Sequence, residues 1–204
     1  MNKQGYHFIK RGIDLLFSAI FIVLFFPLGV IIAIGIKCSS KGTMFFSQMR
    51  IGVNGKQFKM YKFRTMRSDT PKNMPTHLLE NPELYITSIG SFLRKSSLDE
   101  LPQLINIFLG DMSFVGPRPA LWNQDDLIMQ RELLGVNQIK PGLTGWAQIN
   151  GRDELDIETK SLLDKEYMVN ESFSFDLKCL ALTVVAVIRK DGIKEGADKN
   201  EANK

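Results

Sequence analysis

The sequence predicts an α+β fold: a small, mainly helical domain carrying one β-hairpin, anchored by an N-terminal helix-break-helix that dips into a membrane and returns. Three observations predict it. An apolar run fills Ile13 to Ile36, Asn54-Gly55 separates two β-rich runs, and the remainder alternates amphipathic stretches with Gly- and Pro-marked breaks. The expected organisation is a membrane helix over 1–40, a domain over 41–190 and a flexible tail over 191–204. With 204 residues, 44% hydrophobic and 24% charged, the chain suits one domain and excludes a polytopic membrane protein. A net charge of +4 favours an anionic partner, and a nucleic acid, a lipid headgroup or a nucleotide phosphate satisfies that equally. Cys38 and Cys179 lie far apart without metal-ligand spacing, so neither a disulfide framework nor a zinc site is expected and a reducing compartment is the default.

The apolar segment reads IDLLFSAIFIVLFFPLGVIIAIGI, long enough to cross lipid and interrupted only by Asp14 near its start. A cleaved signal peptide would have a shorter core and a small-residue cleavage site, so the segment is expected to be retained. Lys3, Lys10 and Arg11 precede it and Lys37 and Lys41 follow it, which by the positive-inside rule puts both flanks in the cytoplasm. Pro27 in mid-run removes a helical hydrogen bond and Gly29 adds flexibility, so a re-entrant hairpin meets the charge rule; a simple span with a tolerated kink is the alternative.

Residues 43–63 read as a hairpin turning at Asn54-Gly55. Lys56, Lys59, Lys62 and Arg64 accompany Phe58, Tyr61 and Phe63 on its second strand, as either a solvated face or a phosphate-reading surface. Arg67 to Pro82 is polar and proline-bearing, hence a long loop. Ser97 followed by Glu100 forms a capping box, so a helix is expected from about Leu98, tolerating Pro102 in its first turns and stopping at Gly110. Pro117 and Pro119 hold Arg118 in extended chain. Residues 122–134 are expected as a helix. Lys140 to Arg152 is expected as one irregular, ligand-wrapping loop with Thr144, Gln148 and Arg152 among its polar side chains. A helix from Ile157 to Tyr167 follows, then FSFDLKCLALTVVAVIRK, too short to span and suited to a core or interfacial helix.

Asp99 and Glu100 are adjacent acids expected at a helix start, where capping alone explains them. Their neighbours change that reading. Arg94 and Lys95 lie just upstream, Arg118 downstream, and Lys62 with Arg64 can approach from the hairpin, enough cations to offset a diphosphate. A carboxylate attacking a diphosphate needs such help, from cations or Mg²⁺, because the anions repel and the leaving phosphate gains charge. One acid as nucleophile and one as metal ligand is chemically coherent.

RKSSLDELPQLINIFLGDMSFVGPRPA, with MYKFRTM upstream and IKPGLTGWAQINGR downstream, resembles the bacterial sugar transferase family, the small monotopic phosphoglycosyl transferases, from about Phe8 to Arg189. The resemblance implies a re-entrant helix anchoring a catalytic domain on the cytoplasmic face of the bacterial inner membrane. It implies transfer of a sugar 1-phosphate from a UDP-sugar to polyprenyl phosphate with release of UMP, the first membrane step of a surface polysaccharide, capsule or glycoprotein glycan. By the same resemblance Asp99 forms the phosphosugar intermediate, Glu100 assists Mg²⁺, and Lys62, Arg94 and Arg118 match substrate-binding positions. The family often has Ser-Pro at the membrane break where this chain has Phe26-Pro27, so the serine's backbone cap is missing. The large multi-spanning version of the family is not expected. ALWNQDDL resembles members handling N-acetylated 6-deoxy sugars.

Two functions compete on this reading: the transferase, with membrane lipid and downstream glycosyltransferases as partners, and a non-catalytic membrane-surface module, which leaves the acid pair unexplained. Nucleic-acid binding by the hairpin gives the apolar anchor no purpose and is not expected.

Overall fold

The computed structural model describes residues 3–70, 81–151 and 154–189. Helix α1 (Lys3–Ser39) is continuous, with Pro27 inside it. The break expected at Pro27 therefore does not interrupt the helix: proline deletes one main-chain donor, and the turns on either side, packed on the same domain, carry the helix through. One window of α1 has a mean hydropathy of 2.9 with only 11% of it buried, so most of this helix faces away from the protein core.

Both ends of α1 nevertheless dock on the domain. Near its start, Tyr6 and Lys10 reach Asp176, Arg11 donates to the carbonyls of Ile107 and Phe108, and Asp14 accepts from the Phe114 amide. Phe21 and Ile22 pack on a core of Phe58, Met60, Leu104, Ile107 and Met112. Further along, Ile32 and Ile36 join Phe63 and Leu93 in a second core.

Strands β1 (Phe45–Ile51) and β2 (Gln57–Phe63) form the expected antiparallel hairpin, in register from Phe45 opposite Phe63 to Ile51 opposite Gln57. Its turn uses left-handed backbone at Asn54 (φ 54°) and Gly55 (φ 74°), which is what an Asn-Gly pair permits. Helix α2 (Ser88–Lys95) is capped by the Thr87 hydroxyl, which accepts from the Gly90 amide.

The chain then departs from expectation. Ser97 is left-handed (φ 55°) and its side chain caps nothing, so the capping box does not form. Leu98–Glu100 is a separate 3₁₀ turn, and helix α3 (Gln103–Leu109) begins after Pro102. Pro102 has no N–H to offer the Leu98 carbonyl, so the Leu101 amide takes it at 3.3 Å and the turn tightens. Gly110 ends α3 in left-handed backbone (φ 95°), as its position predicts.

Strand β3 (Ser113–Val115), helix α4 (Asp125–Leu133), strand β4 (Gly142–Thr144), helix α5 (Trp146–Ile149), helix α6 (Ile157–Asn170) and helix α7 (Phe173–Arg189) complete the described chain. β3 and β4 pair in parallel, Ser113 opposite Gly142 and Val115 opposite Thr144. The segment from Lys140 is thus not one irregular loop. Its glycines permit a strand where side chains would collide: a Cβ on Gly142 would lie 2.1 Å from the Gly116 nitrogen. Val115, Tyr167 and Cys179 centre a third core between β3, α6 and α7. The expected loop from Arg67 to Pro82 has described ends, Arg67 bonding to the Tyr85 carbonyl, but its residues 71–80 lie outside the described ones, as does the expected flexible tail.

Candidate active site

Three segments converge on the acid pair carried by the 3₁₀ turn: the end of β2, the last turn of α2 and the proline-flanked stretch after β3. Lys62 Nζ donates to Glu100 Oε1 at 2.7 Å and stands 3.7 Å from Asp99 Oδ2. Arg118 Nη2 donates to the same Glu100 oxygen at 2.9 Å. Arg94 is near enough for its charge to favour ionised Asp99.

Local packing explains why Lys62 arrives there. Phe58 and Met60 bury one face of β2 and Phe63 the other, in two separate cores, while the side-chain amide of Asn106 accepts from the Tyr61 amide at 3.0 Å and donates to the Lys59 carbonyl at 2.7 Å. Asn106 thus pins the free edge of β2 to α3, one residue from Lys62. Its only signal in the sequence is a polar residue within the apolar run LPQLINIFL.

The two acids are electrostatically unequal. Burial raises Asp99 above its ordinary value; Lys62 opposes this and the negative charge of Glu100 adds to it. Burial also pushes Glu100 upward, but Lys62 and Arg118 together outweigh it and hold Glu100 far below its ordinary value. Adjacent carboxyl groups driven apart in this way are suited to different roles. Glu100 is a fixed anion on which two cations are parked, and Asp99 is a buried carboxylate with a weaker hold on them.

The family model for bacterial sugar transferases matches residues 5–190 of this chain. The chain belongs to that family.

Among its relatives, the Bacillus subtilis protein described as the uncharacterized sugar transferase EpsL is 42% identical over 92% of this chain and 91% of its own length. The Rhizobium meliloti exopolysaccharide production protein ExoY is 36% identical over 90% of this chain and 87% of its own. The UDP-glucose:undecaprenyl-phosphate glucose-1-phosphate transferase of Escherichia coli is 39% identical over 86% of this chain, which spans 39% of that protein's length.

Of the side chains expected at the transferase site, Lys62, Asp99, Glu100 and Arg118 meet directly, with Arg94 acting on Asp99 by charge. Arg64 is directed elsewhere. β2 ends at Phe63, so strand alternation no longer aims Arg64 beside Lys62, and its guanidinium instead binds the Ser40 and Lys41 carbonyls at the end of α1. The Thr144 hydroxyl is buried 2.6 Å from that of Thr183 on α7, and Gln148 donates back to the Leu143 carbonyl. Formation of β4 and α5 turns both inward. Arg152 lies outside the described residues.

No group of three or more His, Cys, Asp or Glu side chains stands together among the described residues, so a metal at the acid pair would have two protein carboxylates. That donor set fits Mg²⁺, which takes one or two carboxylates and completes its shell with water and substrate phosphates.

Proposed function

We propose that this transferase moves a sugar 1-phosphate from a UDP-sugar to a polyprenyl phosphate, such as undecaprenyl phosphate, by a ping-pong route through Asp99. The observation that carries the reading is the split acid pair: Asp99 is buried and loosely held, while Glu100 keeps Lys62 and Arg118 at 2.7 and 2.9 Å. The Asp99 carboxylate attacks the phosphorus bearing the sugar, the diphosphate P–O bond breaks, and UMP leaves with the electron pair. Lys62, Arg94 and Arg118 bind the phosphate oxygens and offset the charge of the leaving group. A polyprenyl phosphate oxygen then attacks the acyl phosphate and releases Asp99. Asp99 and Glu100 would hold Mg²⁺, which when bound supplies further neutralisation of the diphosphate.

In this reading α1 enters the cytoplasmic leaflet of the inner membrane and returns, placing the acids where a lipid phosphate can reach them. The product supplies downstream glycosyltransferases of a surface polysaccharide, capsule or glycoprotein glycan. Relatives named for UDP-glucose favour a hexose donor, whereas ALWNQDDL favours an N-acetylated 6-deoxyhexose. The test is UMP release from a panel containing both donors, with polyprenyl phosphate and Mg²⁺. Donor alone should leave labelled phosphosugar on Asp99. Absence of UMP from every donor, or appreciable turnover by Asp99→Asn, overturns the scheme.

A further inference from the structure

Arg118 lies between Pro117 and Pro119, neither of which has an N–H, so neighbouring chains can hold this stretch chiefly through its carbonyls. Four consecutive carbonyls are each taken by a different donor. The Gly142 amide bonds to Pro117 (2.9 Å), Arg131 Nη1 to Arg118 (2.8 Å), Arg50 Nη1 to Pro119 (3.0 Å) and the Ile51 amide to Ala120 (3.0 Å).

The donor to Arg118 differs in how it is itself fixed. Arg131 on α4 directs Nε and Nη2 to Asp164 Oδ2 on α6 at 3.0 and 2.5 Å, and the two residues are 4% and 1% exposed. A guanidinium can bind a carboxylate along one edge and reach a carbonyl with its remaining nitrogen. An ammonium carries its three donors on a single nitrogen and lacks the planar fork that lays one edge on the carboxylate while a separate nitrogen reaches the carbonyl. A buried ion pair is weak grounds for stability alone, because desolvating the charges offsets their attraction. Its geometry, by contrast, ties the main chain of Arg118 to two helices.

We infer that Arg131 and Asp164 are a positioning pair that fixes the Arg118 backbone, and through it the guanidinium that meets Glu100. The inference rests on the proposed transferase reaction, in which Arg118 binds phosphate oxygens. Neither residue of the pair touches the acids; the pair acts through Arg118. Arg131→Lys keeps a positive charge opposite Asp164 and loses the bridge, and Asp164→Asn keeps the shape and loses the charge.

The test is a double-mutant cycle on UMP release, read beside main-chain amide exchange in the full-length protein in detergent. Arg131→Lys and Asp164→Asn should each lower kcat/KM at least tenfold in the otherwise native chain and less than twofold in an Arg118→Ala background, since the residue acted upon is gone. Exchange at the Gly142 and Ile51 amides should rise in both variants while that of α1 stays unchanged. Losses that multiply with Arg118→Ala, native kcat/KM in both variants, or unchanged exchange at those amides would overturn the positioning role. Should Arg131→Lys fail to fold, Asp164→Asn carries the same arms. A native protein that releases no UMP sinks the transferase reading instead, and the exchange arm still decides whether the pair holds this stretch.

Discussion

Lys62 and Glu100 are 38 positions apart in sequence and meet through a 2.7 Å ion pair, with the same ammonium 3.7 Å from Asp99. One cation therefore serves both acids, and Glu100 has the larger claim on it. Incoming phosphate oxygens would compete with Glu100 for Lys62 and Arg118, so the free protein already holds the cations near the place where they are needed.

Replacement of Lys62 by Met should therefore cost more than a surface charge. Losing a preorganised donor to developing phosphate charge typically lowers kcat by about 10²- to 10³-fold. Glu100 would retain Arg118 alone, and a buried charged acceptor missing one partner should cost on the order of 1–3 kcal/mol of stability. Urea unfolding and UMP release measure the two effects. A variant with native turnover would remove Lys62 from the site.

The inequality of the acids sets a pH dependence. In the proposed reaction Asp99 must be ionised to attack, and burial raises its titration above its ordinary value, so the acid limb of kcat/KM should lie above that of an exposed aspartate. Glu100→Gln removes the neighbouring negative charge and releases Lys62 toward Asp99. Both changes lower Asp99, so the limb should move to lower pH even as overall turnover falls. For stability the signs are opposite. Glu100, held low, contributes stability above its ordinary range that is lost as pH falls through its folded value. Asp99, held high, contributes below its ordinary range and loses that contribution as pH rises through its folded value. Carboxyl carbon NMR titration of both side chains checks the order, and Asp99 titrating below Glu100 would reverse the assignment.

Gly90 offers a steric test of the scaffold behind Arg94. A Cβ there would lie 1.9 Å from the Thr65 carbonyl oxygen, and backbone cannot rotate away as a side chain can. Gly90→Ala should push α2 off the segment following β2, destabilising the protein by about 1–3 kcal/mol as overpacking does. The better helix propensity of alanine offsets at most about 1 kcal/mol of that. A melting temperature equal to or above that of the native protein would show that α2 is seated differently.

The helices and the hairpin were legible because their signals are local. Asn54-Gly55 supplies its own turn and Gly110 its own left-handed cap. The helix start that the sequence signals at Ser97 does not form, because the capping box competes with Pro102 and the missing proline donor decides the outcome. The strand in GLT was hidden because it exists only against Ser113–Val115, 29 residues earlier at the pairing of Ser113 with Gly142. Within the site, the charged residues could be recognised as a set, but which of them face the acids depends on tertiary direction: Lys62 turns toward Glu100 and Arg64 toward the end of α1. Arg131 left a faint trace, four residues after Leu127 on the buried face of α4.

The last prediction concerns the course of α1. Its 37 residues would extend about 55 Å if straight, well beyond a hydrocarbon core of about 30 Å. Yet Tyr6 and Lys10 bond to Asp176 near one end, while Ile36 packs with Phe63 and Leu93 near the other, so one domain holds both. A true span would have to pull the first end away from Asp176 and carry Lys10 and Arg11 through lipid, at about 2.5–3.5 kcal/mol for each charge at mid-membrane. Both ends should therefore lie on the same side. Pro27 aids this by removing one helical hydrogen bond, so that the helix bends there more easily than elsewhere. The native Cys38 marks the far end, and Gln4→Cys in a Cys38→Ser chain marks the near one. Treated with a membrane-impermeant thiol reagent, the two positions should give the same result, unlabelled in intact cells and labelled after permeabilisation. Pro27→Leu should restore the missing helical hydrogen bond, stiffen α1 there and yield a mixed population in which some Gln4→Cys molecules label without permeabilisation, with a matching fall in activity. Labelling of one end and not the other in the protein with Pro27 intact would make α1 a span and refute the re-entrant course, while leaving the geometry of Lys62, Asp99, Glu100 and Arg118 as it stands.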